Sequence, residues 1–158
     1  MKAASLNELK QELVTLPPKT VLELCLRLAR FKKENKELLS FLLFNAQDEE
    51  GYVESIKHEI NDDFWNLPRG NMYIVKKGLR KILRSISKYS KHVAKKESEV
   101  ELLIHFCNNL NNSGINFKNN KALSNLYDGL IKKLITITDQ LHEDLKFDYK
   151  KQLDRLQK

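Results

Sequence analysis

Ten lysines and arginines fall between Phe64 and Lys96, and no aspartate or glutamate interrupts them. They are Arg69, Lys76, Lys77, Arg80, Lys81, Arg84, Lys88, Lys91, Lys95 and Lys96. Residues 1–63 carry 9 basic and 12 acidic groups, net −3, and residues 97–158 carry 9 of each. The +7 formal charge of the 158-residue chain therefore arises in this one window. Lys77, Arg80, Lys81, Arg84, Lys88, Lys91 and Lys95 recur at intervals of three and four, so a helix would gather them on one side. Cations grouped without countercharge suit a polyanion: RNA, DNA or an acidic protein surface. Phosphate contacts of this kind give affinity with little sequence information. Ser85, Ser87 and Ser90 add hydroxyl donors nearby. The competing reading is a solvated face whose charge pairs with the acidic helix expected over about 48–65 or with another subunit.

Other chemistry-bearing residues do not assemble. His58-Glu59-Ile60-Asn61-Asp62 has the start of a zinc-protease helix, but Asp62 stands where the second imidazole is required. His105 and His142 are isolated. Asp62-Asp63 falls at a helix end, with nothing apolar enough nearby to raise a carboxyl pKa. Glycine-rich phosphate loops, Gly-x-Ser-x-Gly elbows and Cys-x-x-Cys pairs are absent. Cys25 and Cys107 are far apart and read as small apolar core residues. Phe64 and Trp65 precede the basic window; such a pair stacks bases or anchors a loop to the core. No enzyme, metal or cofactor is expected.

The elements that must position the basic window are all helical by periodicity. Helix 1 spans about 5–16, with Ser5 and Glu8 as a capping box and Leu6, Leu9, Leu13 and Leu16 as its stripe. Pro17-Pro18 ends it. Thr20 starts helix 2 with Glu23 as its box partner, and the apolar face, from Val21 to Ala29, is wide. Helix 3, about 35–45, is apolar nearly all round and is expected at the centre of the fold. Helix 4, about 48–65, opens on Asp48, Glu49 and Glu50, where the helix dipole favours acids. It turns Tyr52, Val53, Ile56, Ile60, Phe64 and Trp65 inward. Helix 5, about 72–94, buries Val75, Leu79, Ile82, Ile86, Tyr89 and Val93, and its length is ~33 Å. Helix 6, about 97–112, buries Val100, Leu103, Ile104, Cys107 and Leu110. Helices 7 and 8, about 120–141 and 143–157, are two elements or one bent one. The β-branched run Ile131–Thr138 keeps helical spacing through Leu123, Leu126, Leu130, Leu134, Ile137 and Leu141, and period outranks propensity.

The fold class is therefore all-α: an irregular bundle or a short stack of antiparallel helix pairs, with seven or eight helices. One all-helical domain is expected over 1–158, and the 66–71 loop is the place where it could subdivide. Hydrophobic residues at 41% and charged residues at 31% describe a globular chain. The longest apolar run, Phe41–Phe44, is far below the ~18 residues that cross a bilayer. No secretory leader or lipid-anchor motif is visible, and with two unpaired cysteines a cytoplasmic location is expected.

Three resemblances sit on these residues. Glu8–Leu13, Val21–Leu24 and Glu37–Leu43, with Pro68-Arg69-Gly70 leading into Lys76–Ile82, resemble a family of short bacterial all-helical proteins of unknown function. That family's turn is longer and more basic, and the resemblance implies helical architecture only. Pro68-Arg69-Gly70 is similar to an AT-hook core, with Asn71 in place of its second arginine; such a segment enters a minor groove. Helices 1 and 2 are similar to a SAP motif, with Pro17-Pro18 where its turn carries glycine. The function expected is a non-enzymatic binding module for nucleic acid or an acidic protein. Its contact residues are Arg69, Lys77, Arg80, Lys81, Arg84, Lys88, Lys91 and Lys95. A protein scaffold or homo-oligomer is the alternative, and so is a role without nucleic acid.

Overall fold

The computed structural model describes residues 2–158 and holds, among them, eight α-helices and no strand. Two compact units divide the chain, residues 1–46 and 47–158. The boundary lies between Ala46 and Gln47, and the 66–71 loop is a connection inside the second unit. Proline and glycine punctuate a turn wherever the chain reverses; only burial shows where one core stops.

The first unit contains α1 (Leu6–Thr15), α2 (Pro18–Phe31) and α3 (Lys33–Phe44). The α1 capping box forms as expected: the Glu8 amide donates to Ser5 Oγ and the Ser5 amide to a Glu8 carboxylate oxygen. Those Ser5 donors hold the Glu8 carboxyl below its ordinary pKa. The second box does not form. Helix α2 begins two residues before Thr20, with Pro18 in its first turn and no side-chain cap. Proline's fixed φ suits the first helical position and its missing N–H leaves nothing unsatisfied there. Helices α2 and α3 pack as a hairpin, joined by Asn35 Nδ2 donating to the Leu28 carbonyl at 2.8 Å. Of its apolar residues, only Phe41 is buried. The expectation that α3 is central is corrected: Leu42, Leu43 and Phe44 are exposed. An all-round apolar helix reports a need for burial, not the identity of the neighbour that meets it.

The second unit contains α4 (Glu49–Trp65), α5 (Met72–Val93), α6 (Lys96–Asn112), α7 (Lys121–Thr138) and α8 (Glu143–Leu156). Its centre is α6, which packs against α4, α5, α7 and α8. That arrangement is a bundle around one helix rather than a stack in which each pair meets only its neighbours. Val100, Leu102, Phe106, Cys107 and Leu110 of α6 are all fully enclosed. The Phe106 ring tilts against Phe64 with centroids 5.2 Å apart. Phe64 is thus a core anchor, whereas Trp65, expected inward, is 84% exposed. Burial costs the Cys107 thiolate its hydration and pushes the thiol up to about 12. Cys25, read as a core residue, is exposed on α2.

Helices α7 and α8 are separate elements, parted by a turn at 139–142 in which Leu141 is buried. The buried seam of α7 is Leu123, Tyr127, Ile131, Leu134 and Thr138, so Leu126, Leu130 and Ile137 lie at its margins. The Tyr127 hydroxyl donates to the Leu156 carbonyl at 2.9 Å, which ties the end of α8 to α7. No helix among the described residues is long and apolar enough to cross a membrane.

Candidate functional site

Helix α5 presents the basic window, and its two ends are set by local chemistry. Asn71 caps the start by accepting the Tyr73 amide at 2.9 Å, and Ala94 ends it in the left-handed conformation at φ 57°. Gly70 enters the helix at φ 112°, a conformation that side chains other than glycine's rarely adopt. At 3.6 residues per turn, Val75, Leu79, Ile82, Ile86 and Val93 fall on one line, and all are buried. On the same geometry Lys77, Arg80, Lys81, Arg84, Lys88 and Lys91 occupy an arc of ~100° on the opposite side. Lys88 is half-buried and the other five are exposed.

Two tyrosines fix how α5 is turned about its axis. The Tyr89 hydroxyl donates to a Glu59 carboxylate oxygen at 2.9 Å, and Tyr52 Oη shares a hydrogen bond of 3.2 Å with His92 Nδ1. Both links run from α5 to α4. Tyr89 was expected in the buried seam; its ring lies at the seam's edge, and its hydroxyl accounts for that. Lys88 places its ammonium 4.7 Å from the Tyr89 ring centroid, a cation–π contact. Ser90, one of the three serines near the basic residues, is buried and donates to the Ile86 carbonyl at 2.8 Å.

The structure separates the eight expected contact residues into three groups. Lys77, Arg80, Lys81, Arg84 and Lys91 stand together on the exposed arc, and among the described residues no carboxylate is bound to any of them. Lys88 lies beside them over Tyr89. Lys95 does not belong to the arc: it is the N-cap residue of α6 and is ion-paired with Glu49 of α4. The Glu49 hydrogen bond, with that carboxylate's negative charge, raises the Lys95 pKa. Arg69 is exposed on the entering loop, apart from the helical face. Pairing with acidic α4 thus claims Lys95.

A groove of about 330 Å³ runs beside the arc, a feature with no forewarning except the glycine at 78. Leu67, Pro68, Gly78 and Ile82 contribute its apolar lining, and Lys77, Lys81 and Arg84 its cations; Asp63 is its one carboxylate. Gly78 is where the loop meets the helix. A Cβ there would stand 2.3 Å from Leu67 Cδ2, so glycine admits the buried Leu67 against α5.

The opposite charge gathers elsewhere. Glu49, Glu50, Glu54, Glu97 and Glu101 of α4 and α6 line a second groove of about 740 Å³, with Lys95 among them. Lys57 bonds Glu101 at 2.5 Å and Glu54 at 3.2 Å. Burial disfavours its charge, but these two carboxylates prevail and its pKa is raised. His58 is exposed and reaches Glu54 at 4.0 Å, with no ligand partner, and no group of three metal-binding side chains occurs among the described residues. His105 Nε2 meets Asn61 Oδ1 at 2.7 Å and is half-buried.

No family model, curated protein or solved structure matches this chain.

Proposed function

We propose that this protein is a non-enzymatic binding module whose α5 face takes the phosphate backbone of a nucleic acid. The observation that carries the reading is the exposed arc of Lys77, Arg80, Lys81, Arg84 and Lys91, none of them bound to a carboxylate among the described residues. Neighbours at three and four residues lie ~5–6 Å apart, inside a Debye length of ~8 Å, so their repulsion is not screened away. Each such like-charge pair costs a few tenths of a kcal/mol in an isolated helix. A bound polyanion removes that cost. From Lys77 to Lys91 the helix rises ~21 Å, which matches about six phosphate steps along one strand. The apolar groove beside Lys81 and Arg84 offers sugar or base edges a dry surface.

Titration of labelled RNA and duplex DNA at two salt concentrations tests this. With about four phosphates neutralised, log K falls against log salt with a slope near −3 to −4. Absence of binding to both at ~50 mM salt sinks the reading.

A second reading has one specific observation behind it. The acidic groove of α4 and α6 carries charge complementary to the α5 arc, which suits a second copy. Association of that kind dissolves in about 0.5 M salt, which sedimentation reads directly.

A further inference from the structure

The cationic face of α5 also carries an aromatic ring. Tyr73 stands about five turns before Lys91 at 3.6 residues per turn, so both lie on one line along the helix, with Arg80 and Lys77 to either side of it. The Tyr73 side chain is 75% exposed. Beside it, the exposed Ile74 lines the groove with Leu67 and Pro68, and Lys77, Lys81 and Arg84 line the same groove. Its volume of about 330 Å³ falls at the lower end of the ~300–1,000 Å³ of small-ligand sites, the scale of a flat ring system. A second ring, Trp65, is exposed at the other end of the 66–71 loop. Binding of phosphates alone calls for none of these apolar surfaces. A duplex turns its phosphates and sugars outward and keeps the faces of its bases in the stack, so a ring on a duplex-binding face meets no π-surface.

We infer that the α5 face binds single-stranded nucleic acid, with Tyr73 as the platform on which one base stacks and the groove of Leu67, Pro68 and Ile74 as the seat of a neighbouring base. The inference rests on the phosphate-binding reading of α5 and names its substrate class. Unpaired bases have free faces, and proteins that hold single strands combine aromatic platforms for the bases with cations that track the backbone. Both parts share one helix face here: Lys77 follows Tyr73 by about one turn, ~6 Å along the axis, and the other cations continue from it. Asp63 sorts what enters the groove. A carboxylate repels a phosphate, but it accepts hydrogen bonds from the exocyclic amino group of a base. The phosphates are then left to the cations at the groove's edge and the base to its apolar lining. Stacking of this kind tolerates every base, which agrees with a face dominated by charge.

Fluorescence anisotropy of the full chain tests it, with a labelled mixed-sequence DNA strand of about 15 nucleotides and the same strand annealed to its complement, at ~0.15 M salt. The single strand should bind more tightly than the duplex. Tyr73→Ala should weaken the single strand about tenfold, within the range that one stacked base contributes, and leave the duplex unchanged. Tyr73→Phe should keep the wild-type affinity, because the ring stacks without its hydroxyl. The Tyr73 side chain is exposed and only its amide joins the Asn71 cap, so neither substitution disturbs the start of α5, as circular dichroism would check. A duplex bound as tightly as the single strand overturns the inference. So does a Tyr73→Ala loss that is absent or shared by the duplex. A Tyr73→Phe loss as large as that of alanine also overturns it, since the hydroxyl rather than the ring then makes the contact. In each of these cases nucleic acid is still bound and the α5 reading stands. Absence of binding to either form at ~50 mM salt is the separate result that removes that reading, and this inference with it.

Discussion

Cys107 and Cys25 show how environment decides the chemistry of one residue type. The thiolate is the nucleophile, and burial pushes the Cys107 thiol up to about 12 while enclosing its sulfur. Cys25 is exposed. Iodoacetamide at neutral pH should therefore modify Cys25 first and spare Cys107 until denaturant is added, as peptide mass mapping would show. Equal labelling of both in the folded protein would contradict the buried position of Cys107. His105 supplies a pH prediction. Burial, then the nearby Lys57 cation, lowers its pKa below the ordinary 6.5. Above 6.5 both folded and unfolded states hold it neutral. As pH falls below that value the unfolded chain takes up the proton first, so stability is lost on acidification. His105→Gln should make the fall in denaturation free energy between about pH 7 and pH 5 shallower than in the wild type. Identical curves would mean that the folded imidazole protonates as freely as the unfolded one.

At the scale of the helix, caps and glycines make separable contributions. Asn120 accepts the amides of Ala122 and Leu123 at the start of α7. Asn120→Ala should cost about 1 kcal/mol in urea denaturation, the usual worth of such a cap. Gly129 lies inside α7, exposed, and a Cβ there meets nothing within 4 Å. Gly129→Ala should stabilise by about 0.5–1 kcal/mol, because alanine loses less backbone freedom on entering a helix. A loss of stability would show that the site is more crowded than its open surroundings indicate. The buried Thr138 presents the opposite case: its hydroxyl lies fully enclosed at the end of α7 without a hydrogen-bond partner among the described residues.

At the scale of the molecule, charge and apolar surface are segregated. The α5 arc is cationic, the α4–α6 groove is acidic, and the leftover apolar surface is concentrated in residues 1–46. If α5 binds phosphates, each cation removed should lower the salt slope by about one. Lys81→Ala with Arg84→Ala should therefore reduce its magnitude by about two, with affinity falling similarly for every sequence tested. Unchanged slope would place the contact elsewhere. Both side chains are exposed, so the melting temperature serves as a control for the fold.

The sequence by itself determined that the chain is helical and where most helices begin and end. Apolar spacing of three and four residues is a local quantity, and it carried α4, α5 and α6 to within a few residues of their observed bounds. It also determined that the cations of α5 lie opposite its seam, since one helical period positions both. Tertiary structure alone decided which apolar faces are covered. The stripes of α3 and α6 both ask for burial, yet α6 became the centre and α3 stayed exposed, because a hydrophobic face specifies no partner. Tertiary structure likewise took Lys95 out of the basic set by placing Glu49, 46 residues away in the chain, against it. It brought Leu67 onto Gly78 to form the groove beside Lys81 and Arg84. Those pairings depend on the crossing of helices distant in sequence, and no periodicity encodes them.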